Sequence, residues 1–228
     1  MTDIAQNLSN VRERLAAAAR RAGRNPAEIT LVAVSKNIPP EWIRQAIMAG
    51  VSDFGENRAQ ELRAKYAEIG ELAKWHFIGH LQTNKVKYVI KACHLLHSLD
   101  RMSLAIEIDR RARKLGIQVP VLLQVNISEE ESKFGVTEAE FWPLLQEVAK
   151  LPGLRVKGLM TIAPFVADPE TVRPVFRRLR ELSREATGLS GVEMSYLSMG
   201  MSNDFEVAVE EGANLVRVGT AIFGERPI

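Results

Sequence analysis

Short apolar runs alternate along this chain with stretches in which hydrophobic residues recur every three or four positions. The first run, ITLVAVSK (29–36), is a short, mainly apolar run rich in β-branched residues, the pattern of a strand buried on both faces. Pro39 and Pro40 interrupt it, and EWIRQAIMAG (41–50) then predicts a helix closed by Gly50. The same two beats return. VSDFG (51–55) precedes a helix over about 58–69, WHFIG (75–79) a helical stretch near 84–91, and HLLHSL (94–99) a helix over about 102–115. VPVLLQVNI (119–127) leads to a helix over about 138–151, and LRVKGLMTI (154–162) to one over roughly 169–186. EMSYLSMG (193–200) leads to a short helix at 203–211, and NLVRVG (214–219) runs into AIFGERPI. Ahead of all this, Ile4, Leu8, Val11 and Leu15 lie on one face of an amphipathic helix over about 3–22.

Regular β-then-α alternation implies a parallel sheet with helical crossovers. Eight units in roughly 200 residues fall in the lower size range of a (β/α)8 barrel. The competing doubly wound open sheet usually opens with a glycine-rich turn, whereas SKNIPP follows the first strand here, without G-x-G-x-x-G. The expectation is an α/β protein: one TIM barrel over about 29–224 with an extra N-terminal helix, within a single 1–228 domain.

Composition narrows the partners. Of 228 residues 46 % are hydrophobic and 25 % charged, with a net charge of +2, too little to argue for nucleic acid or membrane. Cys93 is the one cysteine, which leaves no internal disulfide framework and fits a reducing compartment. No apolar run reaches the roughly 18 residues that a bilayer span needs. The expectation is a cytoplasmic protein, monomeric, with a small-molecule partner.

In a (β/α)8 barrel the active site lies at the C-terminal strand ends, and phosphate commonly binds after strands seven and eight. Lys36 ends the first run. It is either a lysine snorkelling out of the core or a partly desolvated amine nucleophilic toward aldehydes. In LSMGMSNDFEVAV, Gly200 lets backbone N–H groups approach an anion, Ser198 and Ser202 offer hydroxyls, and a helix starting near Asn203 directs its positive end there. The bland alternative is an ordinary capped turn with Ser202 or Asn203 as N-cap. The next run ends in Gly219-Thr220 and again opens a helix, so two adjacent strand ends favour a phosphate cradle. Arg217 points to the same side as Gly219 and needs a partner inside the barrel, either an acid such as Glu56 or a cofactor ring. His76, His80, Cys93, His94 and His97 lack ligand spacing on one face and are read as core or rim residues. The arginines of RPVFRRLRELSR (173–184) are read as a solvated helix face.

The blocks AVSK (33–36), FGENRAQE (54–61), WHFIGHLQTNK (75–85), GLMTI (158–162), LSMGMSNDFEVAVEEGA (197–213) and VRVGTAIFG (216–224) together resemble the pyridoxal-phosphate homeostasis proteins, the PROSC-like or YggS-like family. The resemblance implies a barrel similar to the N-terminal domain of alanine racemase, with pyridoxal 5'-phosphate held as a Schiff base on Lys36. It places Ser198, Ser202, Gly219 and Thr220 around the phosphate and Arg217 against the pyridine nitrogen. Asn57, His80, Met199 and Met201 become further pocket residues. An arginine at that nitrogen leaves the ring a poor electron sink. Racemization needs an acid–base group on each face of the carbanion. In the racemases the second is a tyrosine of a C-terminal domain, a group that this chain is expected to lack. The implied function is therefore to buffer the cofactor and deliver it to apo-enzymes, with no metal and no catalytic residue. The alternatives are a racemase-like enzyme and, without cofactor, a Schiff-base aldolase.

Overall fold

The structure, a computed structural model, describes residues 3–130 and 132–225. Residues 1–2, 131 and 226–228 of the expected 1–228 domain lie outside it. The helix α1 (Ile4–Arg21) comes first, capped by Asp3, whose carboxylate accepts the Gln6 N–H. Then β1 (Thr30–Val34), α2 (Pro40–Met48), β2 (Asp53–Glu56), α3 (Ala59–Ile69), β3 (Lys74–Phe77), α4 (Val86–Val89), β4 (Cys93–Leu99) and α5 (Met102–Leu115) alternate. They continue as β5 (Val119–Gln124), α6 (Glu138–Val148), β6 (Leu154–Met160), α7 (Arg173–Glu185), β7 (Val192–Ser198), α8 (Phe205–Glu210), β8 (Leu215–Val218) and α9 (Thr220–Phe223).

The strands pair in parallel, each with the next, and β8 closes on β1 through Thr30↔Leu215 to Ala33↔Val218. The (β/α)8 expectation is met. Alternation along each strand sorts the apolar residues into two sets. Ala33, Leu96, Leu123, Leu159 and Val216 face outward into the main core beneath the helices. Val32, Leu95, Leu122, Met160 and Leu215 face inward as a smaller cluster inside the barrel. The buried stripe of α1, running from Ile4 through Leu8, Val11 and Leu15, packs on α2, α8 and α9 and so covers the β8–β1 seam. Side chains pin it there: Asn7 Nδ2 donates to Ile222 O at 2.9 Å, and just beyond the helix the Arg24 guanidinium donates to Val209 O and Ala213 O at 2.7 Å each.

The arginines of α7 depart from the expected solvated face. Arg173 bonds Glu170, Glu210 and Glu211, Arg177 and Arg180 reach Glu211, and Arg178 reaches Glu138. These pairs tie α7 to the end of α8 and to α6. Where both partners are partly exposed, as in Arg178–Glu138, such a pair contributes about 0–1 kcal/mol.

Candidate cofactor cleft

Lys36 follows β1 in a turn closed by the Ile38 N–H donating to Ser35 O at 2.9 Å. Both flanks of the turn are anchored from below. Ser35 Oγ donates to Glu56 Oε1 at 2.6 Å, and Lys65 Nζ donates to Ser35 O at 2.6 Å and to Glu56 at 2.7 Å. On the other side Asn37, with a left-handed φ of 59°, donates its N–H to Glu61 Oε2 at 2.9 Å. Burial pushes the Glu56 carboxyl up, while the Lys65 ammonium and the Ser35 hydroxyl pull against that rise. Lys36 is half-buried and lines a cleft of about 470 Å³ at the C-terminal mouth of the barrel.

Asn57, His80, Ser202, Arg217, Gly219 and Thr220 line the same cleft. Asn57 is pressed against the next loop, where a Cβ on Gly79 would stand 2.3 Å from Asn57 O. The buried Asn57 Oδ1 has no hydrogen-bond partner among the described residues. His80 Nδ1 lies 3.0 Å from Asp100 Oδ2, and its ring stacks on Phe134 with centroids 4.0 Å apart.

The loop after β7 is shaped by Gly200, whose φ of 90° belongs to glycine and whose Cβ would meet Ala208 Cβ at 2.6 Å. Beyond it Ser202 Oγ accepts the Gly219 N–H at 3.3 Å and the Ala221 N–H at 3.5 Å, with Thr220 Oγ1 at 3.2 Å. The donors that an anion requires therefore already converge on one oxygen. The helix opens at Phe205, not near Asn203, and is only six residues long. Asp204, whose carboxylate accepts the Met201 N–H at 2.6 Å, takes the N-cap position, which the alternative of an ordinary capped turn had given to Ser202 or Asn203.

Arg217 is buried and donates from Nη1 to Ser198 Oγ at 2.6 Å and from Nη2 to Thr161 O at 2.8 Å. Of the two partners expected for it, Glu56 is removed: that carboxylate lies outside the barrel wall, bonded to Lys65. Burial lowers the guanidinium to about 10, opposed by Asp204, so it stays charged at neutral pH.

Ser198 and Met199 do not join the cleft wall. Ser198 is the last residue of β7 and points into the barrel, and Met199 faces outward into the main core. Sequence reasoning also passed over residues that do line the cleft, among them Gln124, Phe134, Ile162, Phe165 and Asp204. Gln124 was detectable as a polar residue inside the apolar run 119–127, and its Nε2 donates to Phe134 O at 2.8 Å. That bond holds the exposed Phe134 over the mouth. Among the described residues no group of three or more His, Cys, Asp or Glu could hold a metal ion, and no helix is long and apolar enough to cross a membrane.

Residues 6–227 match the family described as alanine racemase, N-terminal domain. A pyridoxal phosphate homeostasis protein of Aquifex aeolicus is 50 % identical over 222 residues, covering 97 % of both chains. A solved protein of Bifidobacterium adolescentis, described as unknown, superposes with a TM-score of 0.92 at 39 % identity, covering 96 % of this chain and 94 % of that one. PipY of Synechococcus elongatus, solved with PLP bound, gives 0.85 at 35 % identity, covering 97 % of this chain and 100 % of that one.

Proposed function

Because this chain belongs to the family of pyridoxal phosphate homeostasis proteins, built on the alanine racemase N-terminal domain, we propose that it binds pyridoxal 5'-phosphate at Lys36. It then buffers the cofactor and delivers it to apo-enzymes. The observation that carries the reading is the meeting, in one cleft, of a lysine, a buried guanidinium and the Ser202–Gly219–Thr220 donor cluster. Its volume suits a small ligand.

The cofactor brings an aldehyde that condenses reversibly with a primary amine, together with a phosphate anchor. Lys36 supplies the amine from a turn held rigid by Glu56, Lys65 and Glu61. The Gly219 and Ala221 N–H groups and the Ser202 and Thr220 hydroxyls take the phosphate. Asn57 and His80 bound the ring's sides. Arg217, which stays protonated at neutral pH, would face the ring nitrogen as a donor, and a donor there would leave the ring a weak electron sink. Such a site favours holding the cofactor over turning substrate over. The slight charge, the lone Cys93 and the small-molecule cleft fit a monomer working in the cytoplasm.

Incubating the loaded protein with L- and D-amino acids in deuterated water tests this. The reading expects no sustained Cα exchange. Steady exchange that disappears in Lys36→Ala would show an enzyme instead.

A further inference from the structure

A line of polar side chains runs through the barrel from one mouth toward the other. Asp53 Oδ1 lies 2.9 Å from His76 Nε2, His76 Nδ1 lies 2.8 Å from His97 Nε2, and His97 Nδ1 lies 2.8 Å from Ser198 Oγ. Ser198 Oγ in turn lies 2.6 Å from Arg217 Nη1. The five residues come from β2, β3, β4, β7 and β8, and all are buried. Barrel interiors are normally filled by branched apolar side chains, so a polar line there is costly unless every member is satisfied.

Donor and acceptor counting fixes the direction of every bond. A guanidinium only donates, so Ser198 Oγ accepts from Arg217. The hydroxyl proton then goes to His97 Nδ1, its other bonded neighbour. His97 is therefore a neutral ring protonated at Nε2, and it donates to His76 Nδ1. His76 is left with its proton on Nε2, which it donates to the Asp53 carboxylate. Reversing the polarity would need an extra proton on His76 or Asp53 and would leave the Ser198 hydroxyl with no acceptor among its bonded neighbours.

The surrounding charges agree with this direction. Burial pushes His97 well below the ordinary imidazole range, and His76, Arg217 and His94 add to the fall. Burial alone would raise Asp53, but hydrogen bonds from His76 and Ser52, with Lys74 nearby, hold its carboxyl below the usual range. The His94 ring stands edge-on to His76 at 5.7 Å, and Asp204 acts on Arg217 from the cleft side. Asp53 also borders a second cavity of about 590 Å³, with Arg12, Ser52 and Lys74 on its walls. That cavity is open to solvent beside the N-terminal ends of β1, β2 and β3, so solvent reaches the far end of the line.

We propose that Asp53, His76, His97 and Ser198 form a one-way hydrogen-bond relay that positions Arg217 and carries the charge state of the N-terminal mouth to the cleft. The four are positioning residues, acting on a ligand only through Arg217. The relay stands on the protein's own bonds; its effect on pyridoxal phosphate rests on the function proposed above.

Long-range ¹⁵N–¹H NMR of the cofactor-free protein at neutral pH reads the tautomers directly, with His76→Gln and His97→Gln used to assign the rings. The expected result is two neutral rings, both protonated at Nε2. An Nδ1-protonated His97, or an imidazolium at either position, overturns the relay. Asp53→Asn keeps an oxygen acceptor and removes the charge. With the amide spectrum otherwise preserved, it should move the His97 ring signals as well as those of His76. A His97 signal that stays put overturns transmission. Correct tautomers in a protein that binds no pyridoxal phosphate would support the relay while contradicting the proposed function.

Discussion

Lys65 Nζ lies 2.7 Å from Glu56 Oε1 and 2.6 Å from Ser35 O, so a buried ion pair is bonded directly to the strand end that carries Lys36. Neither charge reaches solvent easily, with side chains 8 % and 0 % exposed. Removing one partner strands the other. Lys65→Met should cost about 3–5 kcal/mol in denaturant unfolding, as expected for an uncompensated buried charge. Adding Glu56→Gln should recover much of that loss. A single-variant cost near zero would mean that the pair does not brace the turn.

Ser202 and Thr220 sit where donors from two adjacent strand ends converge. Ser202→Ala and Thr220→Val should each weaken binding of pyridoxal phosphate by about tenfold, the scale of one hydrogen bond to a charged group. Pyridoxal, which lacks the phosphate, should be affected far less by either change. Equilibrium titration by absorbance checks both. Equal losses for the two ligands would place the phosphate elsewhere.

The barrel was legible in the sequence because each strand buried on both faces reads as an unbroken apolar run followed by a 3.6-residue period. The ends were less so. ITLVAVSK reads as a strand to Lys36, but β1 stops at Val34, because Ser35 bonds Glu56 and the chain turns. Most proposed site residues meet at the cleft because strand ends must meet at one mouth of a barrel. Ser198 and Met199 do not, because strand alternation still governs them: β7 runs to Ser198, and Gly200 O still accepts the Arg217 N–H of β8 at 3.0 Å, so the chain leaves the wall only after Gly200. The relay was illegible. His97 and Ser198 are 101 residues apart, and nothing local reveals that their strands face one another across the barrel.

Gly200→Ala tests the shaping of the β7 loop. The added methyl would stand 2.6 Å from Ala208 Cβ and 2.8 Å from Phe205 Cα at a φ of 90°, so backbone must move. We expect a loss of about 1–3 kcal/mol in stability. Weaker binding of pyridoxal phosphate should accompany it, since Met201 and Ser202 follow directly. Unchanged affinity in a destabilised variant would separate the loop from the phosphate site.

Asp53 gives the fold a defined acid dependence. Its folded value lies below the ordinary carboxylate one, so the stabilisation is complete above that ordinary value, about 3.9, and is lost as pH falls through the depressed folded value. Urea midpoints should therefore drop more steeply with acid in the natural protein than in Asp53→Asn. Parallel curves would show that the carboxylate is not held in its charged form by His76 and Ser52.

The central claim is that Lys36 carries the cofactor. Visible absorbance of the protein loaded with pyridoxal phosphate, before and after borohydride reduction, followed by mapping of the modified peptide, tests it most directly. A yellow protein whose visible band is lost on reduction, with the fixed group on Lys36, is the predicted result. A colourless protein, or a modification found on another lysine while Lys36 remains unmodified, would contradict it.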